Sequence, residues 1–496
     1  MPVNFSAMSN AKKRKQGSVR QRKHLRNLAT PVERFITQQV SASMLLFGAT
    51  VAALIWANSP WGDSYTALWH MEFGIEAGTW ELIQPLHLWI NDGLMAAFFF
   101  VIGLEIKREV MTGELSEPRK ALLPVIAALG GMVVPVGLFL LLNPETGAES
   151  GWGIPMATDI AFSLGILQLL GKRVPLGLKV FLTAFAIVDD LGAVAVIAVF
   201  YSHGMHTLPL LGSAAILIFL GTLSWRGLYN KYLYLLCAVV VWVLFLNGGL
   251  HPTLAGILIA FTIPMRRAIN LTGFTEKIEG AMQPLEVAPA VPLASPKPAQ
   301  RVAKGSTLLS KDQLSALDAI ALHVEEVISP LQHLEHKLHG YVGYIVMPLF
   351  ALANAGVAFS LGDGSHNGLI LALIVSMVVG KFVGIVSFSL LAIRLKWCAL
   401  PDGVTNRHLL GAGMLGGLSF TMALFIAGLA YPDLELLGAA KLGILVGSTI
   451  AGVCGYLILK NAKPTAPVAA TEPQIKPINL IASEKLAIGK TIYPNR

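Results

Sequence analysis

The stretch FLTAFAIVDDLGAVAVIAVF, residues 181–200, places two adjacent aspartates inside an otherwise apolar run. A helix of about twenty residues covers about 30 Å, the thickness of the hydrocarbon layer of a bilayer. Asp189 and Asp190 lie about ten residues beyond Lys179, so they are about 15 Å inside the run. The stretch therefore predicts a membrane-spanning helix with two ionisable groups at mid-depth.

The rest of the chain has the composition of a membrane protein. Of its 496 residues, 54% are apolar and 13% are charged, whereas a soluble protein carries about twice that share of charge. Apolar runs of suitable length predict about twelve spans, with these approximate bounds: 41–58, 86–104, 121–142, 152–171, 177–200, 208–224, 230–247, 250–265, 341–360, 368–393, 408–430 and 436–459. The predicted fold class is an all-α polytopic membrane protein, and 59–85 could hold a short hairpin.

The basic residues predict how the chain is oriented. Except for Lys381 and Lys441, every Lys and Arg falls in one of seven alternate segments: 1–40, 107–120, 172–179, 226–231, 266–337, 394–407 and 460–496. Short cytoplasmic loops are enriched in Lys and Arg, so both termini are expected in the cytoplasm. This distribution accounts for the net charge of +8 without a nucleic-acid partner.

Five segments follow from these assignments. They are a basic cytoplasmic tail at 1–40, spans one to eight at 41–265, a long cytoplasmic loop at 266–339, spans nine to twelve at 340–460 and a cytoplasmic tail at 461–496. The three cysteines lack the spacing of a disulfide framework or a zinc site, and no cofactor is expected.

Charged residues deep in the predicted spans are the candidates for function. Asp159 and Lys381 join the aspartate pair at central positions, and each such charge costs roughly 2.5–3.5 kcal/mol on insertion scales. A structural alternative is a Lys–Asp pair that fixes the register of two helices. One lysine cannot neutralise three carboxylates, however, so a mobile cation or proton is predicted.

Carboxylate oxygens suit a hard cation such as Na⁺ or Li⁺, and protons compete for the same oxygens. Two neighbouring carboxylates cannot easily both stay ionised without a counter-ion. A site of this kind holds either the cation or protons, which is the simplest form of an exchanger.

Two predicted spans look interrupted, which would free backbone carbonyls for an ion. Pro155 and Thr158 precede Asp159 in the first, and a glycine run at 411–417 occupies the second. Interrupted spans in both halves of a transporter indicate a site at the midplane. The glycines could instead be ordinary close-packing positions. The sequence also leaves open whether Lys381 pairs with Asp189 or balances the end of a half-helix.

At these residues the chain closely resembles the NhaA-type bacterial sodium/proton antiporters. The shared motifs are WINDGLMAAFFFVIGLEIKREV (89–110), ATDIAFSLGIL (157–167), LHPTLAGILIAF (250–261), MPLFALANAGV (347–357), VVGKFVGI (378–385) and GGLSFTMALFIAGLA (416–430). The resemblance implies twelve helices in the inner membrane, with inverted repeats and two discontinuous helices that cross. It implies an electrogenic antiporter that exports one Na⁺ or Li⁺ for two entering protons, and not an enzyme.

The resemblance also assigns roles to particular residues. Asp189 and Asp190 match the cation- and proton-binding pair, Asp159 and Thr158 match the broken-helix positions, and Lys381 matches the lysine that compensates charge. A cytoplasmic cluster that would regulate transport by pH matches Glu105, Arg108, Glu109, Glu335, His336 and His339. His251 and Asp92 also match family positions, and each could simply be a polar group near the outer face. A homodimer through 59–85 is the implied assembly.

Three other readings remain at this point. A proton-coupled transporter of another solute would take up that solute and show no sodium dependence. An intramembrane aspartyl protease also needs two aspartates, but it places them on separate helices and has no evident use for Lys381. A channel is a weaker option, because the acids form one compact cluster and not a ring.

Overall fold

The computed structural model describes residues 31–77, 80–202, 204–265, 314–320, 329–357 and 366–462, with a few positions between 274 and 282. Helices dominate this part of the chain. The long helices are Pro31–Ala57, Leu86–Thr112, Pro118–Leu142, Leu176–Phe200, Thr207–Trp225, Lys231–Gly248, Asn367–Arg394 and Leu434–Lys460. The shorter ones are Gly62–His70, Glu149–Met156, Ile160–Leu169, Thr253–Thr262, Pro330–Tyr341, Met347–Asn354, Asn406–Gly416 and Phe420–Ala430.

Eight helices of the described part are long and apolar enough to cross a membrane. They are the long helices above other than Pro31–Ala57, together with Asn406–Ala430 counted as one span. A ninth candidate is the bent pair Ser41–Ala57 and Gly62–His70, whose axes differ by 113°. The prediction of an all-helical polytopic membrane protein is confirmed. The count of twelve stays a prediction, because the predicted spans at 152–171, 250–265 and 341–360 are helical only in shorter pieces.

Two helices begin earlier than their predicted spans. The first starts at Pro31, inside the predicted tail 1–40. Pro330–Tyr341 begins inside the predicted loop 266–339, where the Ser329 side chain accepts a hydrogen bond from the Gln332 amide. Proline at the first helical position suits such a start. Most of that loop, and nearly all of the predicted tail 461–496, lie outside the described residues.

The region 59–85 contains an antiparallel hairpin after the short helix Gly62–His70. Its strands are Glu72–Ala77 and Trp80–Pro85, with Glu72 paired to Pro85 and Ala77 to Trp80. The Leu86 amide donates to the Met71 carbonyl at 2.9 Å, which closes the base of the hairpin. Phe73 and Ile83 are exposed on it. The homodimer through this hairpin remains a prediction.

Small residues allow two long helices to approach each other closely beside the charged positions. A side chain on Gly130 would collide with the Gly384 carbonyl, and one on Gly384 with the Gly130 carbonyl. Backbones can approach this closely in a membrane only where both residues are small. The contact fixes Asn367–Arg394 against Pro118–Leu142, one turn from Lys381.

Candidate ion-binding site

The first broken helix consists of Glu149–Met156, a 3₁₀ segment, and Ile160–Leu169. Between them the backbone at Ala157 and Asp159 is extended, with ψ of 157° and 104°. Pro155 has no amide hydrogen to donate, so a continuous helix is disfavoured at this point. The carbonyls at the end of the 3₁₀ segment are thereby left for other partners.

The second broken helix consists of Asn406–Gly416 and Phe420–Ala430. Its break lies against the first break. The Asp159 amide donates to the Leu418 carbonyl at 2.7 Å, and the Thr158 hydroxyl donates to the Gly416 carbonyl at 3.1 Å. The two interruptions predicted from the sequence therefore meet in the interior, while the inverted-repeat relation stays a prediction.

The Asp159 carboxylate lies between the N-termini of two half-helices. Its Oδ1 accepts from the amides of Ala161 and Phe162 at 3.1 and 3.3 Å. Its Oδ2 accepts from the Thr421 amide at 3.1 Å and the Thr421 hydroxyl at 2.5 Å. Each helix N-terminus carries about half a positive charge. The negative charge of Asp159 is therefore balanced locally without a cationic side chain.

Lys381 makes both of the contacts between which the sequence could not choose. Its Nζ lies 3.0 Å from Asp189 Oδ2, and both side chains are fully buried. The same ammonium donates to the Ala157 carbonyl and to the Thr158 hydroxyl. Ala157 ends the 3₁₀ half of the first broken helix, so the lysine neutralises Asp189 and also meets a helix C-terminus.

Asp190 is the acid that remains without a partner. Its side chain is buried, and no residue in the described ranges forms an ion pair with it. Asp190 Oδ1 and Asp189 Oδ1 are both buried and accept no hydrogen bond from the described residues. Burial of an ionised carboxylate without a donor is costly. Two neighbouring carboxylate oxygens are therefore available for a cation or a proton.

A second charged cluster joins Leu86–Thr112 to Pro330–Tyr341. Arg108 Nε lies 2.9 Å from Glu335 and Arg108 Nη2 lies 3.4 Å from Glu109, while His339 Nδ1 lies 3.0 Å from Glu105. The structure brings five of the six predicted residues of the cluster together. His336 is exposed, and in the described part of the chain it forms no ion pair with the other five.

Two members of this cluster hold protons more tightly than usual. Burial raises the pKa of Glu335 to about 7, although Arg108 opposes the shift. Burial lowers the pKa of His339, but the hydrogen bond that its ring donates to Glu105 and the charges of Glu105 and Glu335 outweigh this effect, so the net shift is upward. Glu335 therefore titrates near neutral pH, and His339 keeps its proton to a higher pH than an ordinary histidine.

Asp92 and His251 contact each other, and the His251 ring packs edge-to-face against Phe425 of the second broken helix, with ring centres 5.4 Å apart. His251 Nε2 lies 3.7 Å from Asp92 Oδ1, and the Trp242 indole donates to the Asp92 carbonyl at 3.0 Å. The sequence suggested two separate polar groups near the outer face, and the structure pairs them.

Thr421 and Ser419 are two further residues of the site to which the sequence alone assigned no role. Thr421 binds Asp159, and the Ser419 hydroxyl donates to the Ala157 carbonyl. The signal was present, because two hydroxyls follow the glycine run within four residues. Their partners, more than 250 residues away, could not be read from it.

Comparison with known proteins matches most of the chain to one family. The family model described as Na⁺/H⁺ antiporter 1 matches residues 33–459. The chain is 44% identical over 452 residues to the "Na(+)/H(+) antiporter NhaA" of Parabacteroides distasonis, covering 88% of this chain and 97% of that one. It is 45% identical over 442 residues to the protein of the same name from Oleidesulfovibrio alaskensis, covering 87% and 94%. The "Na(+)/H(+) antiporter NhaA 2" of Myxococcus xanthus is 43% identical over 452 residues, covering 90% and 93%.

Proposed function

Because this chain belongs to the Na⁺/H⁺ antiporter 1 family, we propose that it is a secondary transporter that exchanges Na⁺ for protons across the membrane. The relatives at 43–45% identity carry that activity in their names. The observation that carries the proposal is the composition of the buried site. Asp159 and Asp189 each have compensation, and Asp190 has none among the described residues.

Without sodium, the site holds two exchangeable protons. One is on the Lys381 ammonium, which is paired with Asp189. The other neutralises Asp190, because a lone carboxylate in the membrane interior is costly. In this state the three acids and the lysine carry little uncompensated charge.

Sodium replaces both protons. The ion binds the oxygens of Asp189 and Asp190, with the Thr158 hydroxyl and the carbonyls at the breaks as further oxygen ligands. Asp189 then no longer stabilises the Lys381 ammonium, which loses its proton as Asp190 does. One Na⁺ leaves for two protons that enter, so one net charge moves inward, favoured by about 2.3 kcal/mol per 100 mV. Li⁺ is accepted by the same hard oxygens.

Exchange by the purified protein tests the proposal. Proteoliposomes loaded at acidic internal pH with a trapped pH dye receive Na⁺, Li⁺ or K⁺ at a series of external pH values. Internal alkalinisation on adding Na⁺ or Li⁺ is expected. A sodium-independent proton flux driven by an organic solute would favour a proton-coupled solute transporter and contradict antiport.

The charged cluster at Arg108 supports a second proposal, that alkaline pH activates transport. Raising the pH withdraws protons from Glu335 and His339, and this changes the charge balance between Leu86–Thr112 and Pro330–Tyr341. Glu105 belongs to the cluster and also acts electrostatically on Asp190. A change in the charge of the cluster therefore changes the electrostatic potential at Asp190.

Location, orientation and assembly complete the proposal. The protein lies in the bacterial inner membrane with both termini in the cytoplasm, and the hairpin at 59–85 forms a homodimer contact. Labelling of single cysteines introduced at Thr207 and Asp402 with a membrane-impermeant thiol reagent should show that the two positions lie on opposite sides of the membrane.

Deletion of the hairpin should convert dimers into monomers, as measured by mass photometry. A dimer that persists without the hairpin would contradict the proposed dimer contact.

A further inference from the structure

An apolar groove of about 650 Å³ runs along the side of the molecule. Its walls are the first helix, the half-helix Ile160–Leu169, the break of the second broken helix at Leu418 and Phe420, and the last helix, Leu434–Lys460. We call it the lateral groove and define it by Phe47, Phe162, Ile166, Leu418, Val453 and Tyr456. None of the charged residues of the ion site lines it.

Three of the five hydroxyl side chains that line the lateral groove already donate to backbone carbonyls. Ser43 donates to the Ala161 carbonyl at 2.7 Å, and Thr50 and Thr449 donate to carbonyls of their own helices at 2.9 and 2.8 Å. A hydroxyl that binds its own backbone offers little to a ligand. The groove therefore presents an apolar surface, which suits a hydrocarbon ligand.

The lateral groove opens sideways, toward the acyl chains of the bilayer. Phe47 is 61% exposed and Val453 is 54% exposed on its rim. Val453 lies within Leu434–Lys460, which has the length and hydropathy of a membrane span, and Phe47 lies within the bent pair Ser41–Ala57 and Gly62–His70, which is a further candidate span. Water is absent at this depth, so a lipid chain is the molecule available to fill the space.

One end of the lateral groove is basic. Tyr456 lies at that end, with Lys460 Nζ 5.8 Å from its ring centre. The Arg173 guanidinium donates to the Lys460 carbonyl at 2.9 Å, which brings a second cation to the same place. In the described part of the chain neither cation has an acidic partner. Two adjacent cations beside an apolar groove match the phosphate and acyl chain of an anionic lipid.

We propose that the lateral groove binds one anionic phospholipid, with an acyl chain along Phe47, Ile166 and Val453 and the headgroup phosphate at Arg173 and Lys460. The proposal rests on the fold and on the placement in a membrane, and it does not require the exchange mechanism. The bound acyl chain lies against Leu418 and Phe162, and Leu418 belongs to the break in the second broken helix. The Leu418 carbonyl accepts from Asp159, so the lipid supports the contact between the two breaks.

Filling the lateral groove with a large side chain tests where the acyl chain binds. Thr449→Trp places a large side chain at the exposed wall, and Thr222→Trp is the matched control. Thr222 is also exposed on an apolar helix and also donates to a nearby backbone carbonyl, but it lies outside the groove. Native mass spectrometry of the purified full chain measures retention of added phosphatidylglycerol and of phosphatidylcholine with the same acyl chains.

Wild type and Thr222→Trp are expected to retain one phosphatidylglycerol more tightly than phosphatidylcholine, and Thr449→Trp is expected to lose it. Retention by Thr449→Trp equal to that of wild type would overturn the proposal, as would equal retention of the two lipids by wild type. The latter result would mean that only surrounding lipid fills the groove.

A surface variant keeps the test informative if Thr449→Trp does not fold. Arg173→Gln combined with Lys460→Gln leaves the groove intact and removes the basic end. Phosphatidylglycerol affinity should fall by roughly tenfold or more, because each basic residue near a lipid surface contributes to binding. Phosphatidylcholine retention should not change. An unaltered preference for phosphatidylglycerol would contradict the assigned headgroup site.

Discussion

In the proposed mechanism, exchange depends most directly on Asp190, because its buried oxygen has no partner among the described residues. Asp190→Asn keeps the size of the side chain and removes its ability to ionise. Sodium-driven proton movement in proteoliposomes should fall to the background of protein-free vesicles. The folded state should persist, since the change removes a buried ionisable group and not a packing contact.

Asp433→Asn is the matched control for that substitution. The Asp433 side chain caps the last helix by accepting from the Glu435 amide at 2.9 Å. Asparagine caps helices about as well as aspartate does. This variant should exchange like wild type. Equal activity in the Asp190→Asn variant would refute the assignment of Asp190.

Lys381 stabilises the fold through its pair with Asp189. Lys381→Ala leaves a buried carboxylate without its cation, which costs about 3–5 kcal/mol. The double variant Lys381→Ala with Asp189→Asn removes both charges and should recover part of the loss. The midpoint of thermal unfolding measures both effects. Strictly additive losses would show that the two side chains are not coupled.

At the residue scale, the sequence identified the charges, but it left open whether Lys381 pairs with Asp189 or balances the end of a half-helix. Hydrocarbon excludes charge, so Asp159, Asp189, Asp190 and Lys381 were visible as exceptions in apolar runs. The choice of Asp189 over Asp190 as the partner of Lys381 depends on how two helices are rotated about their axes. Lys381 and Asp189 are 192 residues apart in sequence, and their positions in the chain do not reveal that rotation.

The two broken helices depend on hydrogen bonds between their ends. Thr421→Val removes the hydroxyl that donates to Asp159 at 2.5 Å and keeps the shape of the side chain. A hydrogen bond to a charged group contributes about 1.5–3 kcal/mol, and a loss of that size is expected. Thermal unfolding measures it, with Thr222→Val as control, because that hydroxyl binds only its own helix. Equal losses in the two variants would show that Thr421 has no special role.

The contact between Leu86–Thr112 and Pro330–Tyr341 should weaken as pH rises. The pKa of Glu335 is about 7 in the folded state and 4.5 ordinarily, so the folded state keeps a proton that the unfolded state loses. Stability is therefore highest at acidic pH and falls between about pH 4.5 and 7, by up to about 3 kcal/mol. The raised pKa of His339 acts in the same direction at higher pH.

Glu335→Gln cannot titrate and should flatten this dependence. Thermal unfolding of wild type and variant from acidic to neutral pH gives the comparison, and sodium-driven exchange at the same pH values shows whether activation shifts with it. A wild-type curve parallel to that of the variant would show that Glu335 does not titrate in this range.

At the element scale, helix breaks were predictable where the chain cannot continue a helix. Pro155 disfavours a continuous helix locally, so the first break was visible in the sequence. The second was visible only as a glycine run, and its position at 417–419 follows from contacts with Asp159 and Ala157. Helix starts were less predictable, since Pro330–Tyr341 is amphipathic and lacks a long apolar run.

At the scale of the whole molecule, hydropathy predicted a polytopic helical protein because the bilayer requires long apolar helices. The lateral groove could not be predicted in this way. Its walls come from four segments, most of them far apart in sequence, and each wall alone resembles any lipid-facing surface. Likewise, the sequence shows three acidic side chains and one lysine, but not how their charges are compensated. The structure shows that the breaks place two helix N-termini at Asp159.

The most direct measurement is the number of protons released for each Na⁺ bound by the purified protein. Calorimetric titration with Na⁺ in two buffers of different ionisation enthalpy at the same pH gives this number. The account predicts nearly two protons at a pH where the empty site is protonated, one from Asp190 and one from Lys381. Sodium binding without proton release would contradict it, because the cation and the protons would then not compete for the same oxygens.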